Sequence, residues 1–309
     1  MIRVAGQPGL LLGSLAGQAL GMCGLWGKIR SSDRNLLSHI RAGRVWKAAA
    51  HFWRFPAISM WSGVVNVLNL HLPVLLFAAL YGKNFVGYYL LGFRVLQLPL
   101  QVVGRSVAQV FFPEAARSHR QQNLAERAED LFQLLVQVGF PAILLLGAVA
   151  PEVFAIVFGH GWERAGGMAL WLSPWLALVF ITSPLSSLPF VVQQQGREFT
   201  IQMVMLVVRV SALFIGAWIG GEAGALAAFA VAGFVVRTAY LCWLLRAAGV
   251  QLGRQWAGIK LPVIEGVALF GLVMWARSWI PGVSAVLVVA LLAAGYLLVT
   301  KVNIVRRST

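Results

Sequence analysis

The sequence predicts an all-α integral membrane protein, a polytopic bundle of about nine transmembrane helices. Three observations carry this prediction. Hydrophobic residues make up 59% of the 309 residues and charged residues only 11%, against about 25% charged in a soluble domain. Mean hydropathy is +0.78. No stretch has the roughly ten-residue alternation of a membrane barrel, which leaves the helix as the spanning element. A cytosolic enzyme, a disordered tail and a secreted disulfide scaffold are excluded on the same grounds. A pI near 11.2 points to nucleic acid only when a soluble fold carries a basic face, so no nucleic-acid partner is expected.

Taken in order, the first apolar run is 9–27. A basic linker follows to residue 55, where Leu36, Leu37, Ile40 and Trp46 stand among Arg41, Arg44 and Lys47. That mixture suits a helix lying on an anionic inner surface, with a plain basic loop as the alternative. Runs 56–80 and 85–112 come next, then a polar, helix-compatible connector, PEAARSHRQQNLAERAED, at 113–130. Runs 131–158, 168–192, 199–219 and 223–245 continue the series, and 261–279 and 283–300 close it. Pro56, Pro73, Pro99, Pro141, Pro174, Pro184 and Pro189 fall in or at the ends of these helices, where packed membrane helices tolerate breaks. The expected organisation is a leading helix with its linker (1–55), a six-helix bundle (56–247), and two accessory helices with a basic tail (248–309).

The basic residues orient the chain. Alternate loops hold Lys28, Arg30, Arg34, Arg41, Arg44, Lys47, Arg54, Arg117, Arg120, Arg127, Arg197, Arg246, Arg254, Lys260, Lys301, Arg306 and Arg307. The opposite loops hold only Arg3, Lys83, Arg164 and Arg277. Under the positive-inside rule the first set is cytoplasmic. The C-terminus is then cytoplasmic and the N-terminus periplasmic. The basic cluster follows the first apolar run instead of preceding it, unlike a signal peptide. The expectation is that these residues are the later part of a longer chain.

Chemistry-bearing motifs are few. Cys23 and Cys242 lie singly in apolar runs and read as small buried hydrophobes, and the five histidines have no metal-ligand spacing. There is no phosphate loop, HExxH or GxSxG, so neither a cofactor nor catalysis is expected.

The informative residues are polar ones at membrane depth, where ionisable groups usually face protein or water. Arg94 and Arg105, eleven residues apart, are offset by about 20° around a helix. With Gln97, Gln101 and Gln109 they make one stripe, which is expected to line a wet cavity, with snorkelling of the two arginines as the alternative. Ser59, Ser62, Asn66 and Asn69 share a face of the preceding helix; Gln133 and Gln137 are one turn apart; Gln202 and Arg209 are nearly eclipsed. For the amides and serines, interhelical hydrogen bonding is the competing reading. Arg237 is open between lining and snorkelling, and Glu152 awaits an arginine partner that sequence does not name. The candidate substrate-binding residues are therefore Arg94, Gln97, Gln101, Arg105, Gln109, Asn66, Asn69, Gln202 and Arg209. Guanidinium groups among amides suit an anion, because the planar fork donates two bonds and stays charged.

The stretches GYYLLGFRVLQLPLQVVGRSVAQVFFPEAAR (87–117), PEVFAIVFGHGWERAG (151–166) and SPWLALVFITSPLSSLPFVVQQQGRE (173–198) resemble the oligosaccharide flippase and lipopolysaccharide biosynthesis proteins. Those belong to a superfamily with lipid II flippases and multidrug exporters. The resemblance runs over roughly 56–247. It implies two six-helix lobes facing a central cavity, with 56–247 as the second lobe and most of the first not represented. It also implies a bacterial inner-membrane location and a polyprenyl-pyrophosphate-linked oligosaccharide as cargo. Polysaccharide polymerase and chain-length machinery are implied partners. The competing functions are a multidrug or cation exporter, an integral-membrane polyprenyl-sugar transferase using the connector's Glu114, His119, Glu126, Glu129 and Asp130, and a non-transporting remnant.

Overall fold

The computed structural model describes residues 54–279, together with the isolated helical positions 13, 17, 19–24, 27, 28, 291, 294, 295 and 298; side chains of 54–59, 252 and 254–257 are not described. Most of the expected helices 9–27 and 283–300, and nearly all of the linker 28–55, lie outside the described residues. The chain divides into two units, Met1–Ala57 and Ile58–Thr309. In the first, Cys23 is exposed where a buried thiol was expected: an apolar run is apolar all round, and hydropathy does not mark its packed side. All that follows concerns the second unit.

Helix α1 runs Arg54–Arg120, α2 Leu124–Ala148, α3 Ala150–Phe158, α4 Glu163–Leu185, α5 Leu188–Val191, α6 Gln195–Ala247 and α7 Leu252–Trp279. Five of the described helical stretches are long and apolar enough to cross a membrane. Two of them are folded in half. In α1 the backbone breaks at Gly82 (φ 78°), and in α6 at Gly220–Gly221 (φ 57° at Gly221). Positive φ costs a Cβ-bearing residue and not glycine, so the chain reverses at these points and not at Pro73, Pro99 or Pro113, which lie inside α1. The arms of α1, α2, α4 and the arms of α6 give six apolar rods among the described residues, with α7 beside them. The protein is an all-α, multi-pass membrane protein.

Two boundaries differ from expectation. The polar segment 113–130 is helical, as expected, apart from a turn at 121–123. Its first part extends α1 to Arg120 and its second part begins α2 at Leu124. At ~1.5 Å per residue the second arm of α1 outruns a ~30 Å hydrocarbon core, so helical hydrogen bonding continues past the apolar run. The expected helix 131–158 breaks at Val149–Ala150, next to Pro151.

The bends of α1 and α6 and the α3–α4 junction share one end of the bundle, where Tyr88 meets Trp162 edge-on and Arg164 pairs with Glu222. The opposite end carries Arg117, Arg120, Arg127, Arg197 and Arg246, and is called the basic end below. Tight contacts hold the rods together. A Cβ on Gly92 would stand 2.5 Å from the Ala165 carbonyl oxygen, which brings the second arm of α1 directly onto α4. Gly216 and Gly224 touch across the α6 hairpin. Such small-residue contacts let membrane helices approach closely. The core between the rods is aromatic: Phe77, Phe85, Tyr89, Phe93, Trp175 and Phe229 belong to one buried cluster, with Phe77 4.9 Å from Tyr89 and Phe93 6.0 Å from Trp175.

The partner of Glu152 is Arg277. Its Nε and Nη2 donate to the two carboxylate oxygens at 2.8 and 2.6 Å, and Nη2 also donates to the Ala148 carbonyl. This fork fastens the end of α7 to α2 and α3. A small apolar cluster, Leu145, Ala148, Val149 and Val273, packs beside it.

Candidate functional site

One cavity of about 360 Å³ opens between the two arms of α1, α4 and both arms of α6. The first arm of α1 contributes Asn66, Asn69 and Leu70, and the second contributes Tyr89, Phe93, Gln97, Gln101 and Arg105. Helix α4 contributes Trp175, Leu176, Val179 and Ser183, and α6 contributes Gln202, Met205, Arg209 and Arg237.

Of the sequence candidates, Asn66, Asn69, Gln97, Gln101, Arg105, Gln202 and Arg209 thus share one cavity, while Arg94 and Gln109 are not in its wall. The reason for Arg94 is geometric. The lining residues of the second arm, Tyr89, Phe93, Gln97, Gln101 and Arg105, are four apart. An i, i+4 row slants at about 26° to the helix axis. Arg94 and Arg105 do fall at similar angles around the helix, but the row reaches that angle only at Arg105. At the level of Arg94 the cavity faces Phe93 and Gln97, and Arg94 is exposed on the side of the helix that carries Leu98 and Val102, which are also exposed. Gln109 continues the row one turn beyond the cavity. Gln133 does not belong to the cavity either: it receives Gly258 of α7 against its side chain.

The deep end of the cavity is built around Arg209. Its guanidinium carbon lies 4.3 Å from the ring centres of both Trp175 and Phe229, and the residue is only 6% exposed. The two rings stand edge to face, 5.7 Å apart at 75°, and the cation is wedged in their angle. Trp175 is itself seated on Gly233, where a Cβ would be 3.1 Å from the indole. The hydrogen bonding of Arg209 is poor by comparison. One Nη donates to the Asn69 carbonyl at 3.5 Å, and Nε is buried with no acceptor. Asn69 donates to the Val65 and Gln202 carbonyls at 3.1 and 3.2 Å, and its own side-chain oxygen has no donor.

Arg237 is in the wall, which decides between the two readings left open for it. Its guanidinium carbon is 5.3 Å from the Tyr240 ring centre, and its Nε is also buried without an acceptor. Measured from the bends, Arg209 lies about three helical turns along, Arg237 about four and Arg105 about six. The cations therefore descend the cavity toward the basic end, and no carboxylate is among the lining residues. Sequence reasoning missed Tyr89, Phe93, Trp175 and Ser183. A tryptophan far from either end of its span was the available signal, since that residue favours membrane interfaces.

A family model described as polysaccharide biosynthesis protein matches residues 3–166 of this chain. The teichuronic acid biosynthesis protein TuaB of Bacillus subtilis (strain 168) is 26% identical over 115 residues, covering 37% of this chain and 24% of that protein. An uncharacterized membrane protein in the cps region of Klebsiella pneumoniae is 22% identical over 176 residues, covering 54% of this chain and 35% of that protein. The matched stretches thus span about a quarter to a third of the length of these curated relatives.

Proposed function

Because this chain belongs to the polysaccharide biosynthesis protein family, we propose that it is the cavity-bearing lobe of a flippase that moves a polyprenyl-pyrophosphate-linked oligosaccharide across the bacterial inner membrane. The observation that carries the reading is the pair of arginines in the wall, buried Arg209 and half-buried Arg237, whose Nε atoms are both buried without an acceptor. A buried donor without a partner is costly, and an anion with several oxygens is the ligand that relieves two such donors at once. Arg105, exposed and nearest the basic end, and the amides of Asn66, Asn69, Gln97, Gln101 and Gln202 extend the donor set to neighbouring phosphate or sugar oxygens. In the low-dielectric wall their attraction for a pyrophosphate is far stronger than in water.

Movement of the cargo would follow alternating access, this lobe rocking against a second one around the site. The basic end is the cytoplasmic end by the positive-inside rule, so the cargo enters at Arg105 and passes Arg237 toward Arg209. The protein acts as a transporter without covalent chemistry, in company with the bilayer and with polysaccharide polymerase and chain-length machinery. A cation exporter fits less well, since three arginines and no carboxylate line the cavity.

The test is binding to the purified chain in lipid nanodiscs, with farnesyl pyrophosphate, inorganic pyrophosphate and tetraphenylphosphonium as probes. The reading expects farnesyl pyrophosphate to bind and inorganic pyrophosphate to compete with it. Binding of the phosphonium cation alone would overturn it. Export of surface polysaccharide in a flippase-deficient strain, with the arginine substitutions placed in the parent protein, tests transport itself.

A further inference from the structure

The cavity leaves Arg94 unused. It stands twelve residues beyond Gly82, where α1 bends beside Lys83, which is about 18 Å along the arm at ~1.5 Å per residue. A hydrocarbon core of ~30 Å puts that level near mid-membrane, beyond the reach of a side chain from either surface. Arg94 is exposed there, and no ion pair engages it among the described residues. A guanidinium left against lipid is expensive, and such groups normally face protein or water.

Arg94 also sits in a seam. Gly87, Arg94 and Gln101 recur every seven residues and so lie nearly in line along the arm. Gly87 has open space where a Cβ would stand, Arg94 and Gln101 are exposed, and Leu98 and Val102 beside them are exposed as well. A seven-residue repeat that includes a small residue is the surface that takes a second membrane helix at close range, crossing at about 20°.

We propose that this seam docks a transmembrane helix of another polypeptide that carries one carboxylate at mid-depth, facing Arg94. Docking here does not depend on what the cavity carries. Charge decides the chemistry of the partner: a carboxylate accepts two bonds from the guanidinium fork, and pairing takes two charges out of lipid at once. The chain itself does not supply the acid. The apolar runs 9–27, 56–80, 85–112, 168–192, 199–219, 223–245 and 283–300 contain no Asp or Glu. Glu152 is taken by Arg277, and Glu265 of α7 has an interaction of its own. Two copies joined symmetrically through this face would set Arg94 against Arg94, where like charges repel. Lipid phosphates lie at the surfaces, about 15 Å away. A helix seated on the seam borders the cavity at Gln101, which belongs to both.

The experiment measures energy transfer between the labelled full chain and labelled host peptides in phosphatidylcholine vesicles at mildly alkaline pH. The peptides are leucine–alanine membrane helices with a single Glu, Lys or Leu at the centre. The expected result is that the Glu peptide associates roughly 5- to 30-fold more tightly than the other two. Arg94→Leu should remove the preference, and Arg94→Glu should turn it toward the Lys peptide. Gly87→Leu should weaken association of the Glu peptide by filling the seam. If Arg94→Leu fails to fold, Arg94→Gln takes its place. Equal association of all three peptides with the wild type overturns the docking. So does a preference that survives Arg94→Leu, which places the contact on the arginines of the cavity instead. Self-association of the chain that Arg94→Leu abolishes assigns the face to a second copy and overturns it too. None of these outcomes bears on the anion reading, which farnesyl pyrophosphate binding tests separately.

Discussion

The guanidinium carbon of Arg209 lies 4.3 Å from the centre of the Trp175 ring. With Phe229 at the same distance, two aromatic faces hold the cation where hydrogen-bond acceptors are scarce. Cation–π attraction reaches about 2 kcal/mol when both partners are desolvated, which offsets part of the cost of a charge at membrane depth. The group is thereby kept charged and oriented with donors to spare. Arg209→Ala is expected to weaken farnesyl pyrophosphate binding by about 10- to 100-fold, the worth of one charge-assisted bond of roughly 1.5–3 kcal/mol. Arg209→Lys should not restore it, because an ammonium lacks the planar fork. Equilibrium binding to the purified variants reads both effects.

Arg105 and Arg94 separate the cavity from the surface of the same helix. Arg105→Gln should reduce affinity for the pyrophosphate probe several-fold, and less than Arg209→Ala, because Arg105 is solvent-exposed and its charge is screened. Arg94→Gln should leave probe binding unchanged. An equal loss in both would mean that the wall extends around the helix to Arg94.

The two ion pairs at the bend end differ in burial and should differ in worth. The Arg277 and Glu152 side chains are 25% and 11% exposed, and the geometry is a bidentate fork. The Arg164 and Glu222 side chains are 57% and 41% exposed, where such pairs contribute about 0–1 kcal/mol. Glu152→Gln is expected to cost about 1–3 kcal/mol and to lower the thermal unfolding midpoint in detergent. Glu222→Gln should hardly move it. The exchange Glu152→Arg with Arg277→Glu should recover part of the loss, as a double-mutant cycle would quantify.

Gly233 is the seat of Trp175. Gly233→Val places branched carbons against an indole that a single Cβ would already approach to 3.1 Å. Overpacking of this kind costs about 1–3 kcal/mol, and here it also displaces one wall of the Arg209 niche. The variant should lose thermal stability and probe affinity together. Gly167→Val, where a Cβ meets open space, is the control and should lose neither.

The class of the protein and most of its rods were legible in the sequence, because bilayer thickness fixes a minimum run of apolar residues and hydropathy measures that run directly. The bend at Gly220–Gly221 falls between the expected runs 199–219 and 223–245 for the same reason. The helix ends were not legible: hydropathy reports where lipid contact stops, whereas hydrogen bonding carries α1 on to Arg120.

The site divides along a similar line. Sequence periodicity picked out Asn66, Asn69, Gln97, Gln101, Arg105, Gln202 and Arg209, because polar groups in an apolar run need a wet or polar surface whatever the fold. It misjudged Arg94, since a helical wheel projects away the slant of the i, i+4 row. It was silent on the Trp175–Arg209 stack, on Gly233 beneath it and on the Arg277 partner of Glu152. Each of these joins residues far apart in the chain, and only the packing of one rod against another brings them within reach. The sequence by itself determined that this is a membrane bundle with arginines and amides to place out of the lipid. The tertiary structure decided which of them share a cavity, because proximity between helices is set by how their surfaces interlock and not by spacing along any one of them.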